Sequence, residues 1–297
     1  MPSAVRRASP LADNLPPHGW FVVSAVFHYL GRSFAVLLFA SLPPTAVAWL
    51  RIATSGCISA LWRRPWRAYA ALPRRDRRIV AALGIDLAFM NIVFYEAIAR
   101  LPLALVGAIE FLGPIAIAAS GVRTGRNLAA LMFAVAGVGV LTDARLAGQP
   151  VGYLFAFANC VLFAFYIVLG HRISSGGGGI SGVDRLAAAM LFASVAALPF
   201  GFRGAWPAFS DPLLLGAAAG VGISSSVIPY VCDQLAMRRL PRSSFALLLA
   251  LLPACAVLIG TLVLRQIPGP IEALGILLVI AGVALHQAEP RSLNGRT

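Results

Sequence analysis

Ten apolar runs, each about as long as a bilayer is thick, leave this 297-residue chain few ways to fold. They lie near 20–40, 44–62, 79–99, 102–121, 127–145, 150–170, 183–201, 212–236, 241–264 and 269–287. A helical crossing needs roughly 20 mostly apolar residues. Strands of a membrane barrel are about 10 residues long and alternate in polarity, whereas these runs are continuous. The composition agrees: 59% of residues are hydrophobic, 12% are charged and the mean hydropathy is +0.84, far from an ordinary soluble domain. The sequence therefore predicts an all-α integral membrane protein with ten transmembrane helices.

A net charge of +13 on a soluble chain would point to nucleic acid, so the position of the charge decides its meaning. All 24 Lys and Arg positions are arginine. With ten spans and a cytoplasmic N-terminus, 18 of these arginines fall in inner segments. The outer segments hold only Arg100, Arg145, Arg203 and Arg265, while Arg32 and Arg51 lie inside spans. This is the asymmetry of the positive-inside rule, and it puts both termini in the cytoplasm. The arginine-rich segment 63–78 reads as an inner rim that touches anionic lipid head groups, not as a nucleic-acid site. Trp20, Trp62 and Trp66 mark the interfaces.

Several features carry no chemistry. Cys57, Cys160, Cys232 and Cys255 all fall inside predicted spans without CxxC spacing, and read as packing residues. No metal site, cofactor or hydrolytic motif is predicted. The run HRISSGGGGISG is a polar, flexible inner connection; with no GK[ST] after it, it is not a phosphate loop. The first 17 residues lack an apolar core with a cleavage site, so no removable signal is expected. Prolines 44, 102, 150, 212, 241 and 270 stand where helices should begin, with Asp211 a cap before Pro212.

The chain repeats itself. Setting Leu101-Pro102 on Leu240-Pro241, an offset of 139, also sets Pro114 on Pro253, Asn91 on Tyr230 and Tyr95 on Gln234. Ala136-Gly137-Val138 matches Ala281-Gly282-Val283 at an offset of 145, the extra residues falling around RQIPGP. Five helices per half is an odd number, so the second half enters the membrane from the opposite side. Inverted repeats of this kind belong to alternating-access transporters.

Polar residues inside the apolar runs are the candidate site. Glu110 shares its helix face with Val106, Gly107, Gly113 and Pro114, while Leu105, Ile109, Leu112 and Ala116 form an apolar side suited to lipid. Pro114 has no N–H and leaves the Glu110 carbonyl unbonded. A desolvated carboxylate here is a candidate proton carrier or amine-binding group. The alternative is a structural carboxylate paired with Arg32 or Arg51. Asn91 and Tyr95 share one face, and Ser226, Tyr230, Asp233 and Gln234 form the matching stripe in the second half. Pro229 frees the carbonyl of Ser225 within Ser224-Ser225-Ser226. Such matched stripes point to a shared hydrophilic cavity, to which Asn159 and Tyr166 add a further wall; interhelical bonding is the plainer reading. Arg32, on a face with His28 and Tyr29, and Arg51 can each hold a substrate carboxylate or balance Glu110 or Asp86. Asp86 lies about two turns from the arginine-rich rim, where a partner is expected. Glu96 and Arg100 form an i, i+4 pair.

The strings GIDLAFMNIVFYEAIARLPLALVGAIEFLGP and SSSVIPYVCDQLAMRRLPRSSFALLLALLPA, with ten spans and a duplicated five-helix unit, resemble the EamA-type branch of the drug/metabolite transporter superfamily. Within it the chain is most similar to inner-membrane threonine/homoserine exporters. The resemblance implies a ten-helix basket with a central cavity in the bacterial inner membrane. It implies tails over 1–17 and 288–297, with five-helix repeats over 18–146 and 147–287. It also implies proton-coupled export of amino acids or related small metabolites. The matching positions are Arg51, Asn91, Tyr95, Glu110, Pro114 and Pro229-Tyr230. The chain departs from the family with Leu252-Pro253 where a Glu commonly precedes the proline, and with Arg265-Gln266 where Gly-Glu is common. Expected partners are a small-molecule substrate and membrane lipid, not nucleic acid, and a homodimer is allowed. The alternatives are a multidrug or metabolite permease of the same fold and, from another class, a non-transporting scaffold or lipid-handling protein.

Overall fold

Proline fixes where most of the helices begin, because its missing N–H loses nothing at the first helical position. The computed structural model describes residues 17–113, 116, 124–143, 149–174, 180–229, 231–232 and 251–285. In chain order these hold α1 (Pro17–Leu38), α2 (Pro44–Arg63), α3 (Pro65–Ala71), α4 (Arg74–Ile98), α5 (Leu103–Glu110), α6 (Gly125–Asp143) and α7 (Pro150–Ser174). Then come α8 (Gly182–Gly201), α9 (Trp206–Ser210), α10 (Pro212–Gly222), a π-helical turn (Ile223–Val227), α11 (Leu251–Leu264) and α12 (Pro270–Leu285). Asp211 caps α10, accepting from the N–H groups of Leu213 and Leu214 at 2.9 and 3.3 Å. Pro102 precedes α5 as its cap instead of opening it. Pro241 lies outside the described residues, while Pro44, Pro150, Pro212 and Pro270 open helices.

The described residues are helical throughout, with no strand, and their apolar helices make this a multi-pass membrane protein. Four helices are long and apolar enough to cross a bilayer, over Gly19–Leu38, Arg74–Ile98, Pro150–Gly170 and Gly182–Gly201. Four more apolar helices are shorter within the described residues, over Gly125–Val140, Pro212–Val227, Cys255–Leu264 and Pro270–Gly282. The count differs from the predicted ten because two short helices intervene. The first, α3, follows Arg64 in the left-handed region (φ 48°), which turns the chain so that Pro65 starts afresh. The second, α9, brings Trp206 and Phe209 to Phe202, which packs edge-on against Trp49. The predicted run 212–236 is not one α-helix either. It passes into the π turn at Ile223, within which the Ser224 and Ser225 hydroxyls bond back to the Gly220 and Val221 carbonyls four residues earlier. At the glycine-rich connection, α7 continues to Ser174, further than predicted.

Charged residues sort to the two ends. At one end Arg63 pairs with Asp184 (2.8 Å), Arg185 with Asp76 (3.7 Å), and Arg126 donates to the Leu285 carbonyl (2.8 Å). At the other end the junction after α4 meets those before α7 and after α11. There Gly152 packs against Leu101, and Gln266 Oε1 accepts from the Leu103 N–H at 3.1 Å.

Glycine sets the closest helix crossings, and one of them is symmetric in the sequence. A Cβ on Gly137 would lie 2.6 Å from the Gly275 carbonyl oxygen, and one on Gly282 would lie 2.7 Å from that of Ala130. Both contacts are the same contact under the 145-residue offset, so α6 and α12 cross as equivalent partners. The pairing of α4 with α7 is likewise matched by that of α1 with the π turn. Gly137→Leu should therefore overpack the crossing and cost about 1–3 kcal/mol. Gly139→Leu, in the same helix but with nothing within 4 Å, should cost nothing. Thermal unfolding of the purified protein in detergent checks this; an equal loss in both variants would place the crossing elsewhere.

Candidate functional site

A buried guanidinium must spend its five N–H groups on something. Arg51, 3% exposed on α2, donates Nε to Ser226 Oγ (2.9 Å), Nη2 to the Ser225 carbonyl (3.1 Å) and Nη1 to Asn91 Oδ1. The Ser225 carbonyl is open to it because residue 229 is proline and supplies no N–H one turn on. The π turn makes the register local: the Ile228 N–H bonds to the Ile223 carbonyl, five residues back. Asn91 is fixed in turn by donating Nδ2 to the Leu87 carbonyl at 2.7 Å. Below the guanidinium lies the Tyr95 ring, 5.6 Å from Arg51 Cζ. Among the described residues no carboxylate lies within ion-pair distance of Arg51.

Arg32, on α1, is compensated differently. Its Nη1 pairs with Glu110 Oε2 at 3.1 Å, and both side chains are buried. Glu110 Oε1 accepts from Asn159 Nδ2 of α7 at 3.3 Å. The Arg32 Cζ sits 4.0 Å from the Phe94 centroid and 5.2 Å from that of Tyr29. Because Phe94 and Tyr95 are neighbours on α4, the two arginine clusters flank one aromatic step. Gly31 closes them together, since a Cβ there would meet the Ser225 backbone N at 2.6 Å.

Three atoms in this layer are buried without a hydrogen-bond partner: Arg32 Nε, Tyr95 Oη and Asn159 Oδ1. Buried polar groups of this kind are nearly always bonded, so residues outside the described ones, water or another molecule must serve them.

The sequence reading is corrected at several points. The open choice for the arginines resolves as Arg32 with Glu110, and Arg51 with neutral acceptors. Glu110 is thus an ion-paired group, not an isolated acid. Leu105 and Ile109, assigned to lipid, are buried, because α5 is enclosed by α4, α6, α7, α11 and α12. Asn91, Ser225 and Ser226 do come together, bonded to Arg51, which fills the space between them, and the Tyr95 ring lies against the guanidinium. The remaining wall that the sequence assigns to a cavity, Tyr230 and Gln234, lies outside the described residues. A pocket of about 500 Å³ lies at the Arg100 end. Asp86 was expected to meet the arginine-rich rim. It is 8% exposed, with Oδ2 unpartnered, at a level where Gly84 admits α8 against α4. Tyr166 stacks on Phe163, whose ring meets Phe111 edge-on. Glu96 and Arg100 pair as predicted. Pro114, Tyr230, Asp233 and Gln234 lie outside the described residues, as does the side chain of Pro253 within α11. Ser24, not singled out in the sequence, donates to the Pro229 carbonyl at 3.3 Å; nothing in its apolar surroundings marked it.

Comparison with known proteins gives the geometry its context. The threonine/homoserine exporter RhtA of Escherichia coli (strain K12) is 30% identical over 259 residues, covering 84% of each chain. That of Salmonella typhimurium (strain LT2) is 28% identical over 257 residues, again over 84% of each. The profile of the EamA-like transporter family matches residues 150–286. The chain belongs to the EamA-like transporter family. As an EamA-like protein it is a membrane transporter, not an enzyme. A protein of known crystal structure, 21% identical with a TM-score of 0.59, shares the fold over 90% of this chain and 95% of its own.

The Arg32–Glu110 pair should behave as a buried unit. Arg32→Met or Glu110→Gln alone strands one buried group and should cost about 3 kcal/mol, whereas the double variant should recover much of that loss. Thermal unfolding of the three variants in detergent checks the cycle; additive losses would mean the pair is not coupled.

Proposed function

We propose that this transporter exports small zwitterionic solutes of the amino-acid kind, including threonine- and homoserine-like molecules, by proton-coupled alternating access. The observation that carries this is Arg51, a buried cation held only by neutral acceptors among the described residues. A carboxylate is the bidentate match for such a guanidinium. Arg51 is therefore the group that takes the solute carboxylate, with Asn91, Ser225 and Ser226 holding it in place and Tyr95 and Asn159 offering their unpartnered atoms.

Glu110 supplies the coupling. A solute ammonium group and a proton cannot both occupy one carboxylate, so protonation of Glu110 expels the solute, and deprotonation readmits it. Arg32 holds the carboxylate between those events. This competition is what a solute/proton exchanger requires. Tyr230 and Gln234, on the matching stripe of the second half, are assigned to the same site, Pro229 leaves the Ser225 carbonyl without a helical N–H partner, and Pro114 and Pro253 are assigned the same role in their own runs.

The architecture that moves this site is ten helices in two inverted repeats, over 18–146 and 147–287, with both termini cytoplasmic. The two-fold α6–α12 crossing and the sorting of charge to two ends support it. The names of the relatives support the direction of transport and the solute class. A multidrug or metabolite permease is the second reading, favoured by the aromatic rings of Phe94, Tyr95 and Phe39 around the arginines.

Counterflow of radiolabelled L-threonine in proteoliposomes tests the proposal. The unaltered protein should exchange threonine and concentrate it against an imposed pH gradient. Arg51→Met should abolish both activities. Glu110→Gln, which cannot ionise, should lose the gradient-driven component and keep some exchange that no longer depends on pH. Full gradient-driven transport by Glu110→Gln would remove it as the carrier, and transport of aromatic cations without threonine would favour the permease.

A further inference from the structure

A pocket of about 500 Å³ opens at the end of the bundle that carries Arg100, walled by Val36 of α1, the α4–α5 junction and the α11–α12 junction. The volume suits a small metabolite. Its polar lining is Arg100, Arg265, Gln266 and Glu272, and most of these groups are already committed. Arg100 pairs with Glu96, donates to the Glu96 carbonyl (2.6 Å) and covers the Phe155 ring. Gln266 Oε1 accepts from the Leu103 N–H at 3.1 Å, at the start of α5. Glu272 Oε2 accepts from the Gly269 N–H at 3.0 Å, at the start of α12. The Arg265 side chain has no hydrogen bond or ion pair among the described residues, its carbonyl accepting only from the Ile267 N–H at 3.1 Å.

The backbone at Arg265 is the second observation. Its φ is 56°, in the left-handed region that glycine enters without strain and arginine does not. The residue ends α11, where the Gln266 N–H closes on the Gly260 carbonyl at 3.1 Å. Glycine would make this turn at less cost, and the side chain offers the fold no bond in return. A strained residue without a structural bond, at the mouth of a pocket, is a functional candidate.

We propose that Arg265 forms a vestibule subsite that captures the carboxylate of a transported solute at the outer mouth of the transporter. It lies apart from the layer around Arg51. The inference rests on the reading of the chain as a carrier of zwitterionic solutes, and adds a station on their path. The pocket selects a carboxylate and not an ammonium group because Arg265 is its uncommitted charge, while the Glu272 carboxylate is engaged by backbone.

The test uses the full-length protein in phosphatidylcholine vesicles, with its four cysteines replaced and one cysteine placed at Ile267, which lines the pocket and is exposed. Labelling by a membrane-impermeant maleimide is measured with L-threonine or with threoninol, which lacks the carboxylate. Threonine should protect the cysteine and threoninol should not. In Arg265→Gln and Arg265→Gly the half-protecting concentration should rise about tenfold, while Arg265→Lys should keep most of the protection. The melting temperature of Arg265→Gly should be unchanged or higher, because the strain is relieved; a clear fall would assign the arginine a structural role and overturn the proposal. Equal protection in Arg265→Gln would overturn it too. So would labelling that responds to added phosphatidylglycerol but not to threonine, which would identify a lipid phosphate as the ligand. Threonine counterflow on the same preparations separates the two readings: protection without counterflow keeps the vestibule and rejects threonine transport, and counterflow without protection does the reverse.

Discussion

Two arginines buried in the middle of an apolar bundle are the constraint that the rest of this structure serves. An arginine at the centre of a membrane helix costs about 3 kcal/mol even on lenient insertion scales, so each must be met by protein. Arg32 is met by a charge, Glu110, and by the rings of Phe94 and Tyr29. Arg51 is met by dipoles: a serine hydroxyl, an asparagine oxygen and a main-chain carbonyl. The second solution depends on an irregular backbone. A regular α-helix ending in an ordinary residue at 229 would have satisfied the Ser225 carbonyl internally. The π turn and Pro229 leave it for Arg51, a case of irregular backbone tolerated in a membrane protein because it is buried in protein.

The difference between the two arginines gives the site its chemistry. Arg32 has its charge balanced by a carboxylate, and Arg51 meets only dipoles among the described residues. Placed on either side of Phe94 and Tyr95, the two groups are, under the proposed function, the ones that would meet the opposite ends of a zwitterion. Close helix approach makes this possible. Gly31 brings α1 onto the serine-rich turn, Gly222 brings α10 onto Thr54 of α2, and Gly84 brings α8 onto α4. Small residues at helix contacts take the place of the hydrophobic drive that lipid removes.

Much of this was legible in the sequence. The apolar runs gave the helices because a span needs a minimum length, and prolines 44, 150, 212 and 270 gave their starts because proline loses no hydrogen bond there. The faces of Asn91, Tyr95 and Ser226 followed from helical periodicity, and the free carbonyl of Ser225 from Pro229. Periodicity does not say which helix a face meets, so the choice between Arg32 and Arg51 as partner of Glu110 stayed open until the fold settled it. The same gap misplaced Asp86, whose distance along α4 from the arginine-rich rim was read correctly but whose enclosure beside α8 was not. Leu105 and Ile109 were read as facing lipid because an all-apolar side is the same in lipid and in a protein core. The short helices α3 and α9 fell below the length at which an apolar pattern can be recognised.

The central claim is that the closed layer around Arg51 is the path of the solute, which opens and closes during transport. Thiol accessibility at Ser226→Cys, in protein whose four native cysteines are replaced, tests it most directly. Ser226 is 3% exposed, so a small membrane-impermeant thiosulfonate should react slowly at rest. The account predicts that labelling accelerates during exchange, when the layer opens, and that excess L-threonine slows it at every stage. A cysteine that stays unreactive while the protein is turning over, or one whose labelling ignores the solute, would contradict it.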